Sequence, residues 1–278
     1  MNHPAAHRAP ATIGVIIPVY NSGRVALDAI QSVLAQTGIY ATEIVIVDDG
    51  SQDGSADFLR EACRGLPIPV RVFSVPNGGA ANARSYGMRE CRCDLYAFLD
   101  SDDAWLPEKL ARQIPLFDLS PEIGMVGCLT TMGGRPSPSG DTASKVHRIG
   151  LRDQLFKNYF QTSTVVVRRR VVEDVGAFPQ DQRHAEEGDF FNRIAAKYRC
   201  LLLADVLVDY DNGKRGFGVG GLSADLVAME KGELRNIRRT YLRGDCGFGL
   251  HALATGYSLL KFVRRILINF IGRQGKAA

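Results

Sequence analysis

Short apolar runs alternate with segments of helical spacing through the first hundred residues of the chain. The runs are rich in β-branched residues and cover residues 13–19, 43–47, 70–75 and 95–99. The segment after the first run repeats apolar residues on one helical face, with Asn21 and Ser22 available as helix caps. This alternation predicts an α/β protein with a mainly parallel sheet and helices on both faces.

Polar clusters follow three of these runs directly, where the strands are expected to end. The clusters lie at residues 18–21, 48–51 and 100–103. In sheets of this kind, ligands bind beyond the carboxyl ends of the strands, where such loops converge. The sequence therefore predicts one binding cleft that all three clusters face.

The cluster at residues 100–103 places three aspartates in four positions behind an apolar run. Like charges this close raise each other's pKa and destabilise the fold unless a cation, hydrogen-bond donors or solvent compensate them. A solvated acidic turn is one interpretation, since Asp and Ser are ordinary turn residues and Asp also caps helices. A bound cation is the other, because carboxylate oxygens at a strand end suit Mg²⁺ or Mn²⁺.

Composition excludes several other classes of protein. The 278 residues are 45% hydrophobic and 23% charged, as in ordinary globular proteins, and the net charge of +4 is too balanced to indicate a nucleic-acid partner. The six cysteines form no CxxC pair, which favours reduced, buried thiols. No GxSxG, Walker or HExxH motif occurs, so carboxylates are expected to carry any chemistry.

Two stretches imitate known motifs but lack a required part. Residues 49–60 resemble a calcium-binding EF-hand loop, but Arg60 stands where the bidentate glutamate is required. Residues 216–221 match GxGxxG, yet no acidic residue follows in a βαβ unit to hold a ribose. Neither calcium binding nor a dinucleotide fold is therefore expected.

Four further stretches carry a joint motif pattern: VIIPVYN at 15–21, IVIVDDGSQDGS at 44–55, NGGAANARSYG at 77–87 and FLDSDDAW at 98–105. In this order they resemble the successive motifs of the family 2 glycosyltransferases, and the resemblance covers roughly residues 12–225. It implies a GT-A fold, which has a Rossmann-like α/β architecture. It also implies a nucleotide-diphosphate sugar donor, a divalent metal (Mg²⁺ or Mn²⁺) and inversion at the anomeric carbon.

The resemblance also assigns roles around the donor. It predicts a wall around the nucleotide base, formed by Pro18, Val19 and Tyr20. Asp49 would hydrogen-bond to that base. Arg84 matches the arginine of an NxxxxxxR motif and can pair with donor phosphate or with an acidic neighbour. The alternative for Arg84 is a surface salt bridge with Glu90 or Asp94.

Asp100 and Asp102 fall on the first and last acids of the family's DxD motif. Asp102 is thereby the expected metal ligand, and Asp100 is expected to contact ribose or metal. Asp103 is expected to cap the helix that begins near Pro107. Trp105 is expected to be a packing residue, with the acceptor cleft as its alternative location.

Residues 184–195, HAEEGDFFNRIA, resemble the family's later Glu-Asp motif. The register places Glu187 where the family usually has the aspartate base that deprotonates the acceptor hydroxyl, and Glu186 is a second candidate. Adjacent helical residues point about 100° apart, so one of the two is expected to be a helix-start charge. Asp189 and Arg193, at i,i+4 spacing, are expected to pair on the helix surface.

Two glycine-containing stretches are predicted to form loops. Lys214, Arg215 and the GFGVGGLS sequence after them could close over the donor diphosphate, and a flexible turn is the alternative. Residues 133–145 are expected to form a mobile loop.

The C-terminal stretch is both apolar and basic, with five Lys or Arg among Leu, Ile and Phe at 261–276. This pattern is typical of a helix in a membrane interface, or of an amphipathic helix packed on its own domain with its basic face in water. We expect a loose tail at 1–11, a GT-A domain at 12–243 and the amphipathic helical appendage at 244–278. Because residues 1–11 lack a signal-peptide core, we expect a cytoplasmic protein, peripheral on the cytoplasmic face of a membrane if the helix binds lipid.

The family resemblance implies an inverting transferase with a UDP-sugar donor and a glycan or lipid-linked saccharide acceptor, which we expect to act in cell-surface polysaccharide biosynthesis. A sugar nucleotidyltransferase is one alternative, but it requires a basic, glycine-rich loop where this chain has PVYNSGR. A non-catalytic glycan-binding protein is another, supported only by the glutamate at position 187.

Overall fold

The computed structural model describes residues 10–132, 145–210 and 225–274. Its strands are β1 (Ile13–Val19), β2 (Glu43–Asp48), β3 (Val70–Ser74), β4 (Leu95–Phe98), β5 (Ala104–Trp105), β6 (Ile123–Thr130), β7 (Val146–Ile149), β8 (Val166–Arg168) and β9 (Arg199–Asp209). Its α-helices are α1 (Ala26–Leu34), α2 (Ser55–Ala62), α3 (Ala80–Glu90), α4 (Lys109–Gln113), α5 (Leu151–Phe156), α6 (Arg169–Val175), α7 (Glu186–Lys197), α8 (Leu226–Leu242) and α9 (Phe248–Gln274). Short 3₁₀-helices cover Ile114–Leu119 and Thr162–Thr164.

The described strands form one sheet in the order β3-β2-β1-β4-β8-β6-β9-β5, with β7 paired to β9. Strands β3, β2, β1 and β4 are parallel to one another, β8 is antiparallel to both β4 and β6, and β6 is parallel to β9. The chain moves outward from β1 to β3 and then returns to the other side of β1 as β4. Ligands of open α/β sheets bind where the strand order reverses in this way, so the expected cleft belongs beyond β1 and β4.

Both faces of the central strands are packed, because successive side chains of a strand point to opposite sides. Val15 and Ile17 belong to a core that includes α1, whereas Ile16 belongs to a second core that includes α3. Gly87 lets α3 lie close to β1, since a Cβ atom there would stand 2.5 Å from Ile16 Cγ2. The expected α/β class with helices on both faces is confirmed.

The helix caps expected for α1 are wrong. The N-cap position of α1 is Val25, and no side chain caps it. Asn21 instead donates its backbone N–H to Ser51 Oγ at 2.8 Å, and Ser22 Oγ lies 3.0 Å from Ser101 Oγ. These contacts therefore tie the loops after β1, β2 and β4 to one another rather than capping a helix.

Helix α9 packs against α8 and α5, with Ala254 and Ser258 buried in the contact. The division expected at residue 243 falls between α8 and α9, and the separateness of the two parts stays a prediction. The alternative of a basic face in water is wrong for Lys261 and Arg265, because both pair with glutamates of α8. Within the described ranges, we find no helix with an apolar stretch long enough to span a bilayer.

Candidate active site

A cleft of about 580 Å³ opens at the carboxyl ends of β1, β2 and β4. Among the described residues, it is lined by nine to which the sequence assigns a donor, metal or base role: Pro18, Val19, Tyr20, Asp49, Arg84, Asp100, Asp102, Glu186 and Glu187. The convergence is as expected for strand-end loops. The individual roles stay predictions.

The nucleotide end of the cleft is expected where the loops after β1 and β2 meet. In the wall expected there, Pro18 and Val19 are buried and Tyr20 is 52% exposed. The two carboxylate oxygens of buried Asp49 accept hydrogen bonds from the N–H groups of Gly78 and Gly79, each at 2.8 Å. Because each carboxylate oxygen has two lone pairs, Asp49 can hold this loop and still accept a bond from a base.

Arg84 is buried at the centre of the site and joins two acidic elements. Its guanidinium donates to Asp100 at 2.6 Å and to Glu186 at 3.0 Å. Burial alone would lower the pKa of Arg84, but the charges of Asp100 and Glu186 outweigh it and raise that pKa above its ordinary value. The acidic-neighbour expectation is confirmed and the surface salt bridge with Glu90 or Asp94 is wrong, because Arg84 lies on the inward face of α3.

Ser163, in the second 3₁₀-helix, fixes the acidic loop in place. Its Oγ accepts the backbone N–H of Asp100 at 3.0 Å and donates to the buried carboxylate of Asp103. Its carbonyl accepts the indole N–H of Trp105 at 2.9 Å, so the expectation that Trp105 packs in the interior is confirmed. The cap expected from Asp103 is wrong, because α4 starts after Glu108 and the Asp103 carboxylate is committed to Ser163.

The three closely spaced aspartates at 100–103 lie in three different environments. Asp100 pairs with Arg84, Asp103 bonds to Ser163, and Asp102 is exposed at the cleft. The exposed carboxylate fits a Mg²⁺ or Mn²⁺ ion, because such ions are held by one or two carboxylates with phosphate oxygens and water supplying the rest. Asp102 with Asp100 beside it would hold the ion.

Glu186 and Glu187 begin α7 and point in different directions. Ala185, with φ 53°, makes the left-handed turn before them. Glu186 is buried and accepts from Arg84. Glu187 is partly buried, lines the cleft, and its Oε1 accepts from Asn158 Nδ2 at 3.2 Å. Burial, followed by the neighbouring Glu186 carboxylate, raises the pKa of Glu187 to about 7. A carboxylate with this pKa can exchange protons near neutral pH.

Asp189 and Arg193 pair at 3.0 Å, as their spacing predicts, but not on a surface. Their side chains are only 6% and 14% exposed. Arg243, at the end of α8, adds a second cation to Asp189 at 2.7 Å. The surface location was wrong because α8 covers this face of α7.

A further wall of the cleft comes from α5 with the two residues after it, α8 and α9, which sequence reasoning did not connect with the site. It contributes polar side chains, among them Gln154, Lys157, Asn158, Glu233, Asn236 and Lys261. No motif marks these residues, because their only shared feature is that the tertiary fold brings them together. They can supply hydrogen bonds to a polyhydroxyl substrate.

A second group of metal-ligand atoms lies away from the cleft. Among the described residues, Glu43, Cys91 and Cys93 are the one set of three such side chains whose ligand atoms lie within 4.8 Å of one another. Arg71 pairs with Glu43 at 2.7 Å, and a hydrogen bond with Cys91, together with burial, raises the pKa of Cys93. A Cys93 thiol held protonated in this way, next to a Glu43 carboxylate already paired with Arg71, does not favour a metal ion. All six cysteines are buried and unpaired, as expected.

Comparison with known proteins decides the family. The model described as Glycosyl transferase family 2 matches residues 14–176, more than half of the chain. The chain belongs to glycosyl transferase family 2.

Two relatives of this family 2 chain illustrate its similarity to bacterial proteins. An uncharacterized glycosyltransferase of Nostoc sp. is 36% identical over 180 residues, which cover 61% of this chain and 54% of that protein. The succinoglycan biosynthesis protein ExoO of Rhizobium meliloti is 36% identical over 120 residues, which cover 42% of this chain and 33% of ExoO. The matched part thus spans about half of the first relative and a third of the second.

Two solved structures show that the family 2 chain has the GT-A fold. The mannosyltransferase PcManGT from Pyrobaculum calidifontis, in complex with GDP-Man and Mn²⁺, gives a TM-score of 0.68 at 19% identity, covering 91% of this chain and 74% of that one. S. aureus TarS 1-349, in complex with UDP, gives 0.65 at 18% identity, covering 89% of this chain and 70% of that one. The expected fold is confirmed.

The family 2 match ends at residue 176, before Glu186 and Glu187. The base assignment therefore rests on the motif resemblance and on the geometry of α7. Lys214, Arg215 and the glycine-rich sequence after them lie outside the described residues, as do residues 133–144. The expectations for these two loops stay predictions.

Proposed function

We propose that this chain is an inverting glycosyltransferase that moves a sugar from a nucleotide-diphosphate donor to a hydroxyl group of a glycan or lipid-linked saccharide. The observation that carries the proposal is Glu187, a partly buried carboxylate that lines the same cleft as the acidic loop. Its raised pKa, caused first by burial and then by the Glu186 carboxylate, supports the role of a base over that of a glycan-binding side chain. The proposed class is thus an enzyme rather than a lectin.

A UDP-sugar is the proposed donor. The UDP complex of TarS and the GDP-Man and Mn²⁺ complex of PcManGT, both of the same fold, support a nucleotide-sugar and a divalent metal. The nucleotide base of the donor would lie against Tyr20 and hydrogen-bond to Asp49. Asp102 would hold Mg²⁺ or Mn²⁺, with Asp100 at the ribose or the metal. When bound, this ion offsets the negative charge of the departing nucleoside diphosphate.

Glu187 carries out the proton transfer in this proposal. Its carboxylate accepts the proton of the acceptor hydroxyl while that oxygen attacks the anomeric carbon. The bond from this carbon to the diphosphate oxygen breaks on the opposite face, so the configuration inverts. Arg84 neutralises Glu186 and Asp100, which keeps the two carboxylates in place, and its charge also opposes the rise in the pKa of Glu187.

The proposed acceptor side is the polar wall from α5, α8 and α9. The name of ExoO ties that relative to succinoglycan biosynthesis, which supports a role in cell-surface polysaccharide assembly. We include in the proposal a cytoplasmic location and peripheral contact with the cytoplasmic face of a membrane.

The proposal is tested by incubating the purified chain with a lipid or glycan extract, Mn²⁺ or Mg²⁺, and a panel of UDP- and GDP-sugars. Mass spectrometry is expected to show an acceptor that gains one sugar residue, and NMR an anomeric configuration opposite to that of the donor. Retention of configuration would contradict the inverting mechanism. Donor binding with no transfer to any acceptor would instead support the glycan-binding alternative.

A further inference from the structure

Helix α9 carries its apolar side chains on the side that faces away from the rest of the protein. Successive residues of an α-helix are rotated by about 100° around its axis, and on this basis the outward-facing apolar positions of α9 fall within an arc of about 140°. Six large side chains in this arc, each 43–70% exposed, form what we call the apolar face: Leu253, Leu259, Leu260, Val263, Ile266 and Leu267. Contiguous exposed apolar surface of this kind marks a site of interaction.

The opposite side of α9 is polar and is locked to α8. Ser258 Oγ donates to the buried Glu230 at 2.9 Å, and Arg265 pairs with the same carboxylate at 3.0 Å. Lys261 donates to the carbonyl of Phe156 at 3.0 Å. Rotating α9 to bury the apolar face would leave Glu230 without these partners in a buried position, which is strongly unfavourable. The ion pairs therefore fix the apolar face outward.

The charge of the segment distinguishes between occupants of this face. Residues 247–278 contain five Lys or Arg and no Asp or Glu. Lys261 and Arg265 are paired with glutamates of α8, and Arg264 is exposed beside the apolar face. A second copy of α9 would bring like charges together. An anionic bilayer surface would instead attract them while it buries the apolar side chains.

We infer that the apolar face of α9 docks on an anionic membrane surface, and that the acceptor is accordingly a lipid-linked saccharide. The inference about the acceptor rests on the proposed function. Its structural basis is that α9 is also a wall of the cleft, which Lys261 lines from the inward side of the same helix. A helix lying in the interface thereby holds the acceptor side of the cleft next to the lipid surface.

The docking is tested by sedimenting the full chain with phosphatidylcholine vesicles, with and without phosphatidylglycerol. We expect binding to the anionic vesicles that weakens with salt. Leu260→Gln is expected to weaken binding to the anionic vesicles by about fivefold. The triple variant, with Leu253→Gln, Leu260→Gln and Leu267→Gln together, is expected to weaken it by about 100-fold. Leu119→Gln is the matched control, because Leu119 is 71% exposed and Leu260 is 70% exposed, and it should not change binding.

Three results would overturn the docking. The intact chain could fail to bind anionic vesicles, or Leu119→Gln could weaken binding as much as Leu260→Gln. Analytical ultracentrifugation could also show a dimer that Leu260→Gln dissociates, which would assign the apolar face to a second copy. Arg264→Glu should weaken binding to the anionic vesicles without affecting the helical content measured by circular dichroism.

The acceptor is tested with the full chain, a membrane extract and radiolabelled UDP-sugars. We expect label in the organic phase, and less of it with the triple variant, although UDP binding measured by calorimetry stays unchanged. Label found only in water-soluble glycan, at equal rates for both proteins, would overturn the inference and leave the proposed function standing. Vesicle binding without UDP binding or transfer would contradict the proposed function and leave the docking standing.

Discussion

Replacement of Arg84 by Gln should destabilise the fold far more than loss of an ordinary surface arginine. The Arg84 side chain is 5% exposed, and its partners Asp100 and Glu186 are 30% and 10% exposed. Removing one member of a buried pair costs about 3–5 kcal/mol, because the other charge stays buried without compensation. Since Asp100 is partly solvated, we place the loss of unfolding free energy near the lower end, at about 3 kcal/mol.

The same replacement should also shift the pH dependence of transfer. Arg84 opposes the burial and the Glu186 charge that raise the pKa of Glu187 to about 7. Without Arg84, that pKa rises further, and a base must be deprotonated to act. The acidic limb of the pH–turnover profile should therefore move to higher pH in Arg84→Gln.

Urea unfolding of wild type, Arg84→Gln and Arg112→Gln gives the stability comparison. Arg112 is a matched control, since it also bridges two carboxylates, Glu108 and Asp205, each at 2.7 Å, but its side chain is 42% exposed. We expect Arg112→Gln to lose far less unfolding free energy than Arg84→Gln, because solvent screens its ion pairs. Equal losses for the two variants, or an unmoved acidic limb in Arg84→Gln, would refute the reasoning.

Three further changes probe other parts of the site. Asp102→Asn should lower the affinity for UDP measured by calorimetry and weaken its dependence on added Mn²⁺, and an unchanged Mn²⁺ dependence would remove Asp102 from the metal site. Ser163→Ala should leave the Asp103 carboxylate without its hydroxyl donor and cost about 1–3 kcal/mol of unfolding free energy, whereas a loss under about 0.5 kcal/mol would show that Ser163 does not fix the loop. A carboxylate whose pKa is raised in the folded state stabilises the fold only at low pH, so the unfolding free energy of wild type should fall as pH rises through about 7. At high pH the unfolding free energy of Glu187→Gln should exceed that of wild type by about 1–3 kcal/mol. Parallel pH–stability curves for the two proteins would contradict the raised pKa.

The parallel half of the sheet and the strand-end residues of the cleft were predictable because they depend on local patterns. Apolar runs of strand length gave β1 to β4, and the polar residues that follow β1, β2 and β4 necessarily meet at one edge. The antiparallel insertion of β8 between β4 and β6 was not predictable in this way, since strand order depends on contacts between distant segments.

Errors in the sequence interpretation arose where a polar side chain finds a partner far along the chain. Asp103 was expected to cap a nearby helix, but Ser163 reaches it from 60 residues away. Asp189 was placed on a surface that α8 covers. One of the two alternatives for α9 placed its basic residues in water, yet Lys261 and Arg265 face α8, because Glu230 and Glu233 there offer paired carboxylates. Local spacing predicts that an ion pair or a helix forms, but which other element packs over that pair or helix depends on the tertiary fold.

The assignment of Glu187 as the base is tested most directly by turnover and donor affinity in two variants of adjacent residues. Glu187→Gln should reduce turnover by about 100-fold or more and leave UDP affinity unchanged, since the residue acts on the acceptor proton in the transition state. Glu186→Gln should chiefly lower stability, because it removes the carboxylate that pairs with buried Arg84 at 3.0 Å. Thermal melting separates folding from chemistry. Full turnover in Glu187→Gln, or a folded Glu186→Gln that is the inactive variant of the two, would contradict the assignment.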